Sequence, residues 1–212
     1  MPIRAVIFDF NGTLSQDEPV LCRIYSELFA EYGTPISERE YYERLSGLAE
    51  HAIAELCLGP GDPRIPAFIR ERIDRYRTTV ADGSTVTEPT REAVRLAADR
   101  AKLAIVSGAA REEIVPVVAA AGLGELFATI VADDDVARGK PDPESYLLAL
   151  AALGTDPGET LVFEDTEAGV ASARAAGTRV VGLLGTQAPE RLGEADELVD
   201  AIDVPLLQRL LG

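Results

Sequence analysis

Residues 3–8 form an apolar run broken only by Arg4, and the run stops at Asp9. Its length and branched side chains predict a buried strand. The Asn11-Gly12 pair that follows predicts a tight turn, since both residues tolerate positive φ. Beyond Leu14 the period changes. Val20, Leu21, Ile24, Tyr25, Leu28, Phe29 and Tyr32 recur at three- and four-residue spacing until Gly33, as one face of a helix does. Ser37-Glu38-Arg39-Glu40 is a capping box opening a second helix. A third is predicted over 48–58, before Gly59-Pro60-Gly61, and a fourth over 66–80. From Lys102 strands and helices alternate. Strands at 102–106, 128–131, 160–163 and 179–183 are interleaved with helices at 112–121, 144–153 and 167–175. That rhythm predicts an α/β fold with a doubly wound, parallel, Rossmann-like sheet. The first strand belongs to the same sheet but is cut off from it by four helices. The expected organisation is therefore an α/β core, residues 1–14 and 85–212, with an α-helical cap of residues 15–84 inserted after the first strand. An insertion there overhangs the crevice in which such sheets bind ligands.

Composition narrows the partners. A net charge of −16 over 212 residues disfavours nucleic acid and anionic membranes. No signal-like segment precedes the first strand and no long apolar run occurs, so a cytoplasmic protein, monomeric or weakly dimeric, is expected. Cys22 and Cys57 sit in amphipathic patterns and read as small buried hydrophobes. Among 20 Lys and Arg, only Lys102 and Lys140 are lysines, which singles out a position that keeps one. Gly122 and Gly124 follow a helix and lack the rest of a dinucleotide fingerprint.

Polar residues gather after the core strands: Asp9, then Ser107-Gly108, then Lys140 in Gly139-Lys140-Pro141, then Glu164-Asp165. Singly, each has an ordinary reading. Ser107 suits a helix N-cap, Glu164 and Asp165 suit a helix first turn, and a lone lysine suits the surface. Together they change meaning. All lie at carboxyl ends of strands and can share one rim. Three carboxylates there repel one another unless a cation intervenes, and hard oxygen ligands suit Mg²⁺. A hydroxyl and a lysine opposite them suit a phosphate, giving a phosphoryl-transfer site.

Four segments then resemble the haloacid dehalogenase superfamily, in the helical-cap branch of phosphoglycolate phosphatases and β-phosphoglucomutases. They are FDFNGTL (8–14), IVSGA (105–109), GKPDPESY (139–146) and VFEDTEAGVASARAAG (162–177), and the likeness covers nearly the whole chain. It implies a Mg²⁺-dependent phosphatase of a small phosphorylated metabolite. Asp9 resembles the nucleophile that becomes an aspartyl-phosphate. Ser107 and Lys140 resemble the groups that hold and neutralise the phosphoryl group, with Gly108 and Thr13 beside them. Asp9, Asp165, Glu164 and the backbone carbonyl of Asn11 match the metal site. Tyr41, Tyr42, Leu45, Leu48 and His51 are expected at the mouth between cap and core.

One position departs from the pattern. The family's acid/base is an Asp where this chain has Asn11. An amide hydrogen-bonds but transfers no proton at neutral pH. Slow turnover is implied, and Asn11→Asp is expected to raise it at least ~10-fold. Asp17 and Glu18 read as a helix cap and a first-turn acid, and either can stand in for the missing acid. Two other readings are a phosphate-binding module without turnover and a sugar-phosphate mutase. The mutases resembled here carry a cap His and a cap Arg where this chain has Leu21 and Glu50. Metal-free dehalogenases are disfavoured by Glu164-Asp165, and the phosphonate branch by a cap without lysine.

Overall fold

A computed structural model describes residues 2–212. Six strands form one parallel sheet: β1 (Ala5–Phe8), β2 (Lys102–Val106), β3 (Phe127–Val131), β4 (Thr160–Glu164), β5 (Arg179–Leu183) and β6 (Glu197–Val199). Their spatial order is β3-β2-β1-β4-β5-β6. β1 pairs with β2 on one side and β4 on the other, with Phe8 opposite Ile105 and Phe163. The connections reverse direction at β1 and β4, so the ligand crevice of this topology opens beyond the ends of these two strands.

Alternation along β1 sorts its side chains between two layers. Val6 and Phe8 join the face covered by α5 (Glu88–Ala98), α6 (Arg111–Ala120) and α9 (Val204–Leu211). Ala5 and Ile7 join the face covered by α7 (Glu144–Leu153) and α8 (Glu167–Ala175). All four are fully buried, which is why this strand reads as a continuous apolar run. The Phe8 and Phe163 rings stack at 5.3 Å across the pair just below the crevice.

Between β1 and α5 lie α1 (Glu18–Glu31), α2 (Glu38–Glu40), a π-helical turn (Tyr41–Leu45), α3 (Glu50–Leu58) and α4 (Ile65–Thr79). The predicted capping box is present. Ser37 N–H donates to Glu40 Oε2 at 2.8 Å, and Glu40 N–H donates to Ser37 Oγ at 3.3 Å. The helical segment has an apolar interior of Tyr25, Phe29 and Phe68 continuous with one face of the sheet. It is tied to the core by ion pairs between α4 and α6. Arg70 and Arg77 pair with Glu112, and buried Arg72 pairs with buried Glu113. On the opposite side Gln187 bridges the two parts. Its Nε2 donates to the Ser46 carbonyl at 3.3 Å, and its Oε1 accepts from Glu167 N–H at 2.8 Å. Helices α5 and α9 and the three-residue edge strand β6 are additions to the elements read from the sequence.

Candidate active site

The loop after β1 is folded back on itself. Ser15 N–H donates to the Phe10 carbonyl and Gly12 N–H donates to the Ser15 carbonyl, both at 2.8 Å. Between these bonds the Asn11 carbonyl accepts no hydrogen bond among the described residues. Gly12 is required twice over. Its φ is +73°, and a Cβ there would lie 2.0 Å from Asp165 Oδ2.

Lys140 joins three strand ends. Its ammonium donates to Asp9 Oδ1 at 2.6 Å, to Glu164 Oε1 at 2.5 Å and to the Val106 carbonyl at 3.2 Å. Burial works against its charge, but the fields and hydrogen bonds of Asp9 and Glu164 outweigh that and hold Lys140 above the ordinary lysine range. Of the two lysines, Lys140 is the one at these strand ends, whereas Lys102 donates to the Leu153 carbonyl at 2.6 Å.

Asp9, Glu164 and Asp165 are all buried, and a carboxylate oxygen from each falls within 4.8 Å of the others. Burial pushes Asp9 up to about 7, with Lys140 opposing and Glu164 adding to the shift. Asp165 is driven well above the carboxylate range, by burial first and then by the charges of Asp9 and Glu164. Its Oδ1 accepts from Thr13 Oγ1 at 3.2 Å, whereas Oδ2, though the Thr186 hydroxyl lies beside this carboxyl group, is buried and accepts no well-formed hydrogen bond among the described residues. An orphaned, fully buried carboxylate oxygen beside two further carboxylates is what a hard divalent cation would satisfy.

Glu164 differs from its neighbours. Oε1 accepts from Lys140 and from Tyr146 OH at 2.7 Å, and Oε2 accepts from the N–H groups of Asp165 and Thr166 and from Thr166 Oγ1. Its carboxyl group fills the space that a side chain at Gly169 would take. With both oxygens engaged, Glu164 anchors Lys140 and the start of α8.

Several sequence expectations change here. Thr13, expected at the phosphate, spends its hydroxyl on Asp165. Asp17 occupies the position before α1 but does not cap it. Its fully buried carboxylate turns back to the β1 loop, accepting from Gly12 N–H at 3.1 Å, Asn11 Nδ2 at 2.9 Å and the Tyr76 hydroxyl. Glu18 is pushed up to about 7 by burial and is held by Tyr41 OH at 2.8 Å and Ser46 Oγ at 3.4 Å. Ser107 is buried, its Oγ accepting from Ala109 N–H at 3.0 Å, while Gly108 is exposed and open.

The five residues expected at the mouth do not act as a set. Tyr41 and Leu45 are buried in the helical segment, with Tyr41 packed on Tyr25. Tyr42 is half-buried and Leu48 is exposed. His51 is exposed, pairs with Glu55 at 3.6 Å, and faces a groove of about 600 Å³ lined by Ile65, Ile69 and Ile73. None of the carboxylate cluster lines that groove.

Comparison with known proteins agrees with this geometry. Residues 3–177 match the family model of haloacid dehalogenase-like hydrolases. The chain is 38% identical over 197 residues to protein CbbY of Rhodobacter capsulatus, covering 85% of each chain. It is 29% identical to validoxylamine A 7'-phosphate phosphatase of Streptomyces hygroscopicus, covering 92% of each. Among solved structures, a variant of CbbY from Rhodobacter sphaeroides bound to xylulose-1,5-bisphosphate superposes with a TM-score of 0.84 at 28% identity, over 94% of this chain and 95% of that one. Fold, strand-end chemistry and sequence therefore agree that this chain belongs to the haloacid dehalogenase-like hydrolases.

Proposed function

We propose that the chain is a Mg²⁺-dependent phosphatase acting on a small phosphomonoester through an aspartyl-phosphate on Asp9, with residues 15–84 as its cap. The reading rests above all on the Lys140 ammonium, which holds Asp9 at the switch point of the sheet beside the orphaned Asp165 oxygen. A carboxylate there attacks phosphorus in line. The P–O bond to the substrate's alcohol oxygen breaks, and water then cleaves the phosphoryl group from Asp9 to give inorganic phosphate. Lys140 favours the ionised form of Asp9 against its burial and offsets the charge of the phosphoryl oxygens, and the Ser107 hydroxyl donates to one of them. Asp9, Asp165 and the free Asn11 carbonyl are suited to hold Mg²⁺, with Glu164 supporting them from behind Lys140. When bound, the ion supplies charge neutralisation at the phosphoryl group.

A monophosphate is favoured over a bisphosphate, because the cap residue Arg72 is buried and already paired with the buried Glu113. Leu21 and Glu50 also argue against a mutase. The test is a panel of sugar and alkyl phosphomonoesters, with a ketose bisphosphate included, assayed in Mg²⁺ and in EDTA. Phosphate release from monophosphates in Mg²⁺ alone is expected. Equal release in EDTA, or a clear preference for the bisphosphate, contradicts the reading.

Asp165→Ala separates metal binding from folding. It removes a ligand and also one of three mutually repelling carboxylates. Turnover is expected to fall by on the order of 10²–10³-fold, while the metal-free protein melts no lower than the parent. The sign of the pH dependence follows from Asp9. Folding raises its pKa from 3.8 to about 7, so the folded state binds more protons than the unfolded chain between those values. Its contribution is complete below 3.8 and is lost as pH rises through about 7. The melting temperature of the metal-free protein is expected to drop over that window, and Mg²⁺ at pH 7 to restore it.

A further inference from the structure

The Asn11 side chain is held by a buried network that no helix cap or turn requires. Its Nδ2 donates to Asp17 Oδ2 at 2.9 Å and to Tyr76 Oη at 3.3 Å. Tyr76 donates its own hydroxyl to the same Asp17 oxygen, so its lone pair is what faces the Asn11 amide. Asp17 Oδ1 is fixed by Gly12 N–H. Both Asp17 and Tyr76 are fully buried, and Tyr76 arrives from α4, across the boundary between the helical insertion and the core. These contacts decide the amide's orientation. Turned the other way, its oxygen would face a carboxylate, and two acceptors would meet without a hydrogen. The Asn11 oxygen is left without a partner among the described residues.

We propose that Asp17, with Tyr76, is the positioning residue for Asn11: the pair holds the amide NH₂ away from the crevice and presents the amide oxygen to it as an acceptor. This rests on the reading of Asn11 as the occupant of the family's acid/base position. So oriented, Asn11 accepts a hydrogen bond from the water that attacks the phosphoryl group but offers no hydrogen to a departing alcohol oxygen. The missing acid is then not a simple vacancy at residue 11. Asn11→Asp alone sets a second carboxylate against Asp17, where the Asn11 amide had supplied a hydrogen. Exchanging both residues, Asn11→Asp with Asp17→Asn, restores an amide donor facing a carboxylate, in the reverse sense.

The experiment compares four full-length proteins in Mg²⁺: the parent, Asn11→Asp, Asp17→Asn and the exchange. Melting temperature and steady hydrolysis of p-nitrophenyl phosphate and an alkyl phosphate are measured. Asn11→Asp is expected to melt roughly 2–4 °C below the parent and to gain less than about threefold in rate, in place of the ~10-fold rise that the resemblance alone implies. The exchange is expected to regain most of the lost melting temperature and to exceed the parent rate at least ~10-fold. An Asn11→Asp protein too unstable to purify beside a soluble exchange variant is the same result. Tyr76→Phe is expected to lower the steady rate severalfold at unchanged KM. Melting losses that simply add in the exchange, or an Asn11→Asp rate equal to that of the exchange, overturn the proposal. If none of the four proteins hydrolyses a phosphomonoester, the phosphatase reading fails, and the melting temperatures still decide the pairing.

Discussion

Asp9→Asn is expected to lower phosphomonoester turnover by on the order of 10⁴-fold or more, about 5.5 kcal/mol of barrier, while leaving a folded protein. The amide is nearly isosteric with the carboxylate but is no nucleophile at neutral pH. It can still accept the Lys140 hydrogen bond that Asp9 Oδ1 accepts at 2.6 Å. Removing its charge relieves repulsion with Glu164 and Asp165, the same repulsion that helps raise Asp165. The metal-free variant should therefore melt at or above the parent temperature, and Mg²⁺ should protect it less. Retention of more than about a tenth of parent activity, a loss well below the scale of a removed nucleophile, means that phosphorus is attacked by another group.

Lys140→Met has the opposite effect on stability and a similar one on activity. The ammonium is mostly buried, between one carboxylate whose side chain is 9% exposed and another that is wholly buried. Removing one partner of a buried ion pair typically costs about 3–5 kcal/mol. For a chain of this size, that is a fall of roughly 6–20 °C in melting temperature. Proton uptake by Asp9 and Asp165 limits the loss at low pH, so the deficit should grow as pH rises through about 7. Mg²⁺ should recover part of it by supplying positive charge to the same carboxylates. Turnover should fall by ~10²–10³-fold or more, as when one electrostatic stabiliser of a transition state is removed. Differential scanning calorimetry with and without Mg²⁺, beside phosphate release, measures both effects. A Lys140→Met protein as stable as the parent would contradict the account of Lys140 as the tie between three strand ends.

The elements legible in the sequence were those with long, uninterrupted periods. Helices α7 and α8 and strand β5 have the predicted boundaries, and Gly154 in the left-handed region ends α7 as a C-terminal glycine should. Helix α5 carried a usable signal in Thr87-Glu88-Pro89, where Thr87 does cap the helix. Strand β6 did not, since three residues at a sheet edge are too few to establish a period. The rhythm of strands implied a parallel sheet but not the strand order, which is what places Asp9 beside Glu164 and Asp165 at the switch point.

Within the site, position along the chain revealed which residues reach the rim but not which way they turn. Asp17 looked like a helix cap because it stands just before α1. Its contact with Tyr76 spans 59 residues and arises only when α4 packs against the β1 loop. Thr13 lies beside a phosphate motif, yet its hydroxyl is taken by an acceptor 152 residues away. Tyr41 and Leu45 were expected at the mouth, but both lie in the π-helical turn with their side chains buried in the interior.

The most direct test of the central claim is to trap the intermediate. On the proposed mechanism Asn11 replaces the acid/base, cleavage of the aspartyl-phosphate is expected to be the slow step, and the intermediate should accumulate during turnover. The protein is mixed with p-nitrophenyl phosphate and Mg²⁺, quenched in acid within the first turnovers, and examined by intact and peptide mass spectrometry. The account predicts a gain of one phosphoryl group on most molecules, confined to the peptide bearing Asp9 and absent from Asp9→Asn. An unmodified protein that nevertheless releases phosphate, or a phosphoryl group that persists in Asp9→Asn, contradicts it.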